Sequence, residues 1–190
     1  MSLNDTLRKR ARLVEEGLTD LERWSDPASF QGGWERRSVI AAQWVPEGSR
    51  LLDIGCGTMF VERHLHPSVT YWPADLVKRD ERTLICDINQ RVLPAEIDAA
   101  DVIMLLGVIE YVFDVPAFLN RARRPGVRLV LTYCDRESSN FGVADRRLHG
   151  WVNNFSRAEL QGALQQAGFV VTRMAQVDAA QSIYEAIAAG

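Results

Sequence analysis

The sequence predicts an α/β domain built on a doubly wound, mostly parallel sheet with helices on both faces. Three observations carry that prediction. From Arg50 onward, short apolar segments alternate with helical or turn segments, the pattern of strands joined by crossovers. The first of them, Leu51-Leu52-Asp53-Ile54, runs into Gly55-Cys56-Gly57-Thr58. A strand buried on both faces ends in this way where backbone must approach a small ligand with no Cβ between them. Finally, Asp53, Asp75 and Asp87 fall in or at the ends of three successive strands, where ligands of open α/β sheets lie.

Residues 4–23 read as one amphipathic helix, with Leu7, Ala11, Val14, Leu18 and Leu21 on one face, Asn4 or Asp5 as its cap, and Gly17 as its weak point. Trp24 to Gly33, with Ser-Asp-Pro and Gly-Gly, reads as a loop. Its Trp24 and Phe30, with Trp34, either pin the N-terminal helix to the core or form a lid over a ligand. A second helix over 34–45 stops at Pro46-Glu47-Gly48. Strands are expected at 50–54, 69–74, 83–86, 101–106, 127–133 and 169–174, and the alternation over 182–188 fits a last strand or a short helix. A helix after the glycine loop would point its N-terminal amides at the ligand. Asp114 before Val115-Pro116 marks a helix start with proline in the first turn. Ser156-Arg157-Ala158-Glu159 is a capping box, flanked by the hydrophobic pair Phe155 and Leu160, and Gly168 is the stop. The whole reads as one domain, with 1–47 as an N-terminal helical cap and 48–190 as the α/β core.

With 47% hydrophobic and 25% charged residues, the chain can bury a core without disulfides or a structural metal. A net charge of −3 gives no reason to expect a nucleic-acid partner. The basic clusters Arg8-Lys9-Arg10 and Arg121 to Arg124 lie among acids and read as solvated helix faces. Cys56, Cys86 and Cys134 form no C-x-x-C pair, so no metal site is expected, and they read as small hydrophobes. No apolar run reaches the roughly 18 residues of a membrane span, and the N-terminus lacks a signal-peptide core. A cytoplasmic protein with no membrane partner is expected.

Asp75, 22 residues after Asp53, can accept hydrogen bonds from both hydroxyls of a ribose, which would otherwise be buried unpaired. Asp87 can accept from the exocyclic amine of a purine while Ile88 packs on its ring. The dinucleotide fingerprint G-x-G-x-x-G fails at Phe60, and no Gly-Lys-Ser/Thr occurs for a P-loop. Asp53-Ile54-Gly55-Cys56-Gly57 instead resembles the first motif of class I S-adenosylmethionine-dependent methyltransferases. The resemblance covers roughly residues 35–190. Asp75 matches the acid that holds the ribose, and Cys86-Asp87-Ile88 the segment flanking the adenine. Ala100 through Val112 looks like the fourth-strand motif, whose usual form ends Leu-Glu-His-Val, and Asn154-Phe155-Ser156 through Gly168-Phe169 is similar to a late family segment. The nearest group is the small-molecule one that includes methionine-biosynthesis and ubiquinone-type methyltransferases.

The resemblance implies a Rossmann-like, seven-stranded sheet with the last strand antiparallel. It implies S-adenosylmethionine as cofactor, held by Asp53, Gly55, Cys56, Gly57, Asp75, Leu76, Asp87, Ile88, Leu106 and Gly107, and in-line methyl transfer to a small-molecule acceptor. A homodimer is compatible with it. Two positions depart from the family pattern. Met59 stands where a third glycine is common, either crowding the methionine end of the cofactor or pointing away. Tyr111 replaces the usual histidine. These departures leave an alternative, a weak or inactive methyltransferase-like domain that acts through an interface.

Transfer from a sulfonium depends mainly on alignment, and a hydroxyl acceptor benefits from a base. Glu110, Tyr111 and His149 are the main candidates, with Tyr133 and Asp135 beside them; His64 and His66 read as a solvent-facing helix end. Asp53 is expected to fix the glycine loop or reach the cofactor's amino group. The acceptor is expected beneath the N-terminal helices and the 134–153 loop, which also carries Asn140 and whose arginines, Arg136, Arg146 and Arg147, could bind a carboxylate or phosphate.

Overall fold

Leu51, Leu52 and Ile54 are buried on alternate faces of one strand, and both faces are covered because the strand lies mid-sheet. The computed structural model describes residues 3–30, 33–137 and 141–190; Gly32 of the expected loop and Asn140 of the expected anion-binding loop lie outside them. Seven strands follow in chain order: β1 (Arg50–Ile54), β2 (Thr70–Asp75), β3 (Leu84–Ile85), β4 (Val102–Leu106), β5 (Arg128–Tyr133), β6 (Phe169–Gln176) and β7 (Ser182–Ala188). They form one sheet in the order β3-β2-β1-β4-β5-β7-β6. The first five pair in parallel, and β7 runs antiparallel between β5 and β6. The 182–188 segment is thus a strand. β3 is shorter than the expected 83–86 and pairs only with Ala74 and Asp75; the residue before them, Pro73, has no N–H to give a longer ladder.

The α-helices are α1 (Leu3–Glu15), α2 (Leu21–Ser25), α3 (Glu35–Ala42), α4 (Val115–Ala122), α5 (Val143–Leu148) and α6 (Arg157–Gln166). α4 and α6 bury Phe118, Leu119, Leu160 and Leu164 against the Leu52 face. On the Leu51 face, α3 buries Ala41 and Ala42, and Trp44 joins them, so this helix of the expected cap packs on the sheet itself. Among the described residues, no helix is long and apolar enough to cross a membrane.

Local chemistry explains the helix ends. Asp114 accepts from the Ala117 amide at 2.9 Å. Ser156 and Glu159 form the expected reciprocal box, at 3.1 and 2.7 Å. Two expected helices are different. The 4–23 helix is two, α1 and α2, because Gly17 takes a left-handed φ of 65° and Asp20 caps a new start by accepting from Arg23 N. After the glycine loop there is only a 3₁₀ segment, Phe60–His64, so the β1–β2 crossover offers no α-helix N-terminus. His64 and His66 are exposed, as expected.

The capping box makes a stability test. Ser156→Ala should cost about 1 kcal/mol of unfolding free energy, read from the urea midpoint at unchanged slope.

Candidate functional site

The sheet reverses its winding between β1 and β4, and the carboxyl ends of these strands define a crevice. Gly55 stands at its edge with φ 76°, where a Cβ would lie 2.5 Å from Val108 Cγ2. Only glycine meets both demands. The loop amides are tied to β2: Gly55 N and Cys56 N both donate to the Ala74 carbonyl, at 2.8 and 3.1 Å, and Gly57 N donates to Asp75 Oδ2 at 2.8 Å. This corrects the expectation that a helix terminus presents free amides here. Met59 takes the left-handed conformation, φ 55°, which accounts for glycine as the common residue there. Its sulfur lies 3.6 Å from Arg82 Nη2, and its side chain is not part of the crevice wall.

The three strand-end acids have different surroundings. Asp75 is 5% exposed, and its carboxylate accepts from Gly57 N, Leu76 N and Arg79. Asp53 accepts from the Tyr71 hydroxyl at 2.7 Å and does not hold the glycine loop; Asp75 does. Burial pushes Asp53 up to about 7; the Tyr71 hydrogen bond works against that shift, Asp75 adds to it, and Arg37 opposes it. Asp87 Oδ1 accepts from the Thr19 hydroxyl at 2.9 Å and from Asn89 N at 3.0 Å. Its other oxygen makes no hydrogen bond among the described residues.

These groups open on one cavity of about 480 Å³. Every residue expected to hold the cofactor, from Asp53 to Gly107, lines it, as do Glu110, Tyr111 and His149. Trp24, Phe30 and Trp34 form the wall contributed by the N-terminal segment, and Phe141 and Trp151 the wall opposite in sequence. Trp24 meets Tyr111 edge-on with centroids 5.1 Å apart, His149 stacks on Trp151 at 5.1 Å, and Trp151 Nε1 donates to the Tyr111 hydroxyl at 3.1 Å. Arg23 closes the seam by donating to the His149 carbonyl.

Residues 30–173 match the family model described as a methyltransferase domain. The chain belongs to the methyltransferase family. It is 33% identical over 153 residues to a ubiquinone biosynthesis O-methyltransferase of Rhodopseudomonas palustris, covering 66% of this chain and 60% of that one. A namesake from Azorhizobium caulinodans is 28% identical, covering 68% and 62%. The chain thus spans about 60% of the length of these curated relatives. Among solved structures, a SAM-dependent methyltransferase from Aquifex aeolicus superposes with a TM-score of 0.64 at 16% identity, covering 85% of this chain and 98% of that one. A Burkholderia thailandensis 1,6-didemethyltoxoflavin-N1-methyltransferase, solved with its acceptor and S-adenosylhomocysteine, gives 0.63 at 18% identity, covering 96% and 90%. These likenesses show the fold.

Around this cavity, several expected roles shift. Tyr133 and Asp135 are fully buried away from the cavity. Tyr133 donates to Asn153 Oδ1 at 2.6 Å and accepts from Phe155 N at 2.8 Å. Asp135 accepts from Ser182 at 2.8 Å and Tyr184 at 3.2 Å. Both are structural. Glu110, 1% exposed, accepts from Cys134 N through Oε1 at 3.0 Å, while Oε2 has no hydrogen bond; burial raises its pKa. Burial, followed by Arg23 and Arg10, lowers that of His149 and keeps the imidazole neutral near pH 7.

The arginines of the 134–153 loop do not line the cavity. Arg136 pairs with Glu159, Arg146 donates to the Cys134 carbonyl at 2.8 Å, and Arg147 is exposed. The cavity's arginines are Arg23, Arg37 and Arg79, all missed from the sequence. Arg37 is the most telling. Its guanidinium lies over Gly107, where a Cβ would meet Nη1 at 2.5 Å, and 4.9 Å from the Trp34 ring. Among the described residues it has no hydrogen bond or ion pair, and burial pushes its pKa down. One signal was available: Arg37 precedes Ala41 by one helical turn, on the face that α3 buries.

Asp53 sets a pH test. Its folded-state pKa of about 7 exceeds the ordinary value of 3.8. The stability it confers is therefore complete below the ordinary value and is lost as pH rises through about 7. Asp53→Asn cannot ionise, so its stability relative to wild type should increase between about pH 5 and about pH 8, measured by urea unfolding at each pH. A constant difference would show that Asp53 is ionised throughout.

Proposed function

We propose that this domain transfers a methyl group from S-adenosylmethionine to a small-molecule acceptor, as a cytoplasmic enzyme with residues 1–47 capping the 48–190 core. The observation that carries the reading is that the buried Asp75 carboxylate and the Arg37 guanidinium, which has no hydrogen bond or ion pair among the described residues, line one cavity together with the glycine loop. Asp75 suits ribose hydroxyls. Arg37 suits the carboxylate of a methionine moiety, since a planar guanidinium matches a carboxylate in two parallel hydrogen bonds. Asp87 keeps an acceptor for an exocyclic amine, beside Ile88 as an apolar wall. Gly55 and Gly107 leave room that side chains would fill.

S-adenosylmethionine, when bound, supplies a methyl already activated by positive sulfur, so the domain's work is alignment and exclusion of water. The aromatic wall of Trp24, Tyr111 and Trp151 gives an acceptor apolar surface to lie against. His149, neutral and with no hydrogen bond to its ring nitrogens among the described residues, is placed to take the proton of an acceptor hydroxyl. That fits the O-methyltransferase names of the relatives. Tyr111, its oxygen fixed by the Trp151 indole, retains a hydroxyl proton to donate. Glu110 joins the end of β4 to that of β5 through Cys134 N and sets the floor beside Arg37. Met59 faces Arg82, so it does not obstruct the donor and gives no support to an inactive domain.

Calorimetry with S-adenosylmethionine tests the reading, and absence of binding at millimolar ligand overturns it. Asp75→Ala and Arg37→Met should each weaken binding by roughly 1–3 kcal/mol. Unchanged affinity in either variant would remove that residue from the donor site.

A further inference from the structure

Asp75 is saturated. A carboxylate has about four lone-pair positions, and Asp75 meets four N–H donors: Leu76 N and Arg79 Nη2 on Oδ1, at 2.7 and 3.1 Å, and Gly57 N and Arg79 Nε on Oδ2, at 2.8 and 3.1 Å. The two backbone donors cannot be given up without undoing the end of β2 and the glycine loop, whose neighbouring amides are held by Ala74. Arg79 supplies the other two, one on each oxygen, and a ribose offers two hydroxyl donors to the same pair of oxygens.

The rest of Arg79 is not on the sheet. Nη2 also donates to the Trp24 carbonyl at 2.7 Å, and the guanidinium lies 4.7 Å from the Phe30 ring centroid. Phe30 in turn covers the glycine loop, its Cε1 being 3.1 Å from where a Cβ on Gly57 would stand. One side chain, 13% exposed, therefore ties the donor-binding acid to the N-terminal segment that walls the cavity.

We propose that Arg79 is an exchangeable latch, an inference that rests on the donor site proposed above. The ribose of S-adenosylmethionine takes Arg79's two positions on Asp75. The guanidinium, released from its anchor, no longer holds Trp24 and Phe30 in place. Donor binding thereby loosens the segment from Trp24 to Phe30, while Thr19 on Asp87 and Arg23 on the His149 carbonyl keep the flanks of the cap attached. The order of events follows from the chemistry: the donor site fills first, and the wall facing the acceptor then becomes free to admit it.

The alternative is that Arg79 merely orients Asp75 for the ribose, and the two differ in sign. If Arg79 competes, Arg79→Gln should bind S-adenosylmethionine about tenfold more tightly than wild type by calorimetry, because a charge-assisted bidentate pair no longer has to be broken. Arg79→Lys, with one compact donor group in place of a fork, should fall between them. Hydrogen exchange gives the second readout. S-adenosylmethionine should speed exchange of the 24–30 amides in the wild-type chain, and Arg79→Gln should show that faster exchange without ligand. Binding to wild type accompanied by weaker or unchanged binding to Arg79→Gln overturns the latch alone. No binding to wild type overturns the donor site and the latch with it. If Arg79→Gln does not fold, the sign of the Arg79→Lys change decides in its place.

Discussion

Hydrogen bonds to its lone pairs offset the cost of burying a carboxylate, and in this domain the filling of Asp75 organises the surrounding elements. Gly57 N fixes the glycine loop at the height of the sheet. Leu76 N turns the chain as it leaves β2. Arg79 brings in the N-terminal segment through Trp24 and Phe30. A loop, a strand end and a cap that are distant in sequence thus share one acid, and the cavity lies among them.

The acid can occupy that place because the sheet is rigid there. β1 and β2 pair in parallel from Arg50↔Thr70 to Ile54↔Ala74, so Asp75 emerges one step beyond the last pair, level with the glycine turn. The Ala74 carbonyl receives two successive loop amides. With no α-helix following the glycine loop, the usual supply of free N-terminal amides is missing. Of the cavity's arginines, Arg23 and Arg79 donate to protein oxygens, whereas Arg37 has no hydrogen bond or ion pair among the described residues. It comes from α3, which packs on the Leu51 face of the sheet.

What was legible in the sequence was local. Strand alternation, the Asp114 and Ser156 caps and the acids at strand ends depend on neighbours a few residues away, and the structure has them where the pattern put them. The arginines were not legible. Arg37 follows an exposed Arg36, and Arg79 shares a charged run with an Arg82 whose side chain is 50% exposed. Composition cannot tell which member of such a run turns inward, because the choice is made by a partner far along the chain. The residues after β5 show a different failure. Tyr133 ends β5 near the crevice and Cys134 and Asp135 follow it, yet residues in extended chain alternate sides. Only Cys134, the middle one, reaches the cavity, while Tyr133 joins the α4–α6 core and Asp135 is claimed by β7.

Asp53 and Asp75 show how little residue type decides. Both are aspartates on adjacent strands, both nearly inaccessible, and both face the same cavity. Asp75 has two amides and a guanidinium. Asp53 has one neutral hydroxyl, from Tyr71, and a like charge in Asp75, with Arg37 too weakly engaged to offset its burial. The charge of Asp53 near neutral pH therefore depends on what else enters the cavity, since a nearby cation favours the ionised form and an apolar group the neutral one. Two of the four donors on Asp75 come from one side chain, Arg79, rather than from the backbone, so only those two positions can be exchanged for hydroxyls without disturbing the glycine loop.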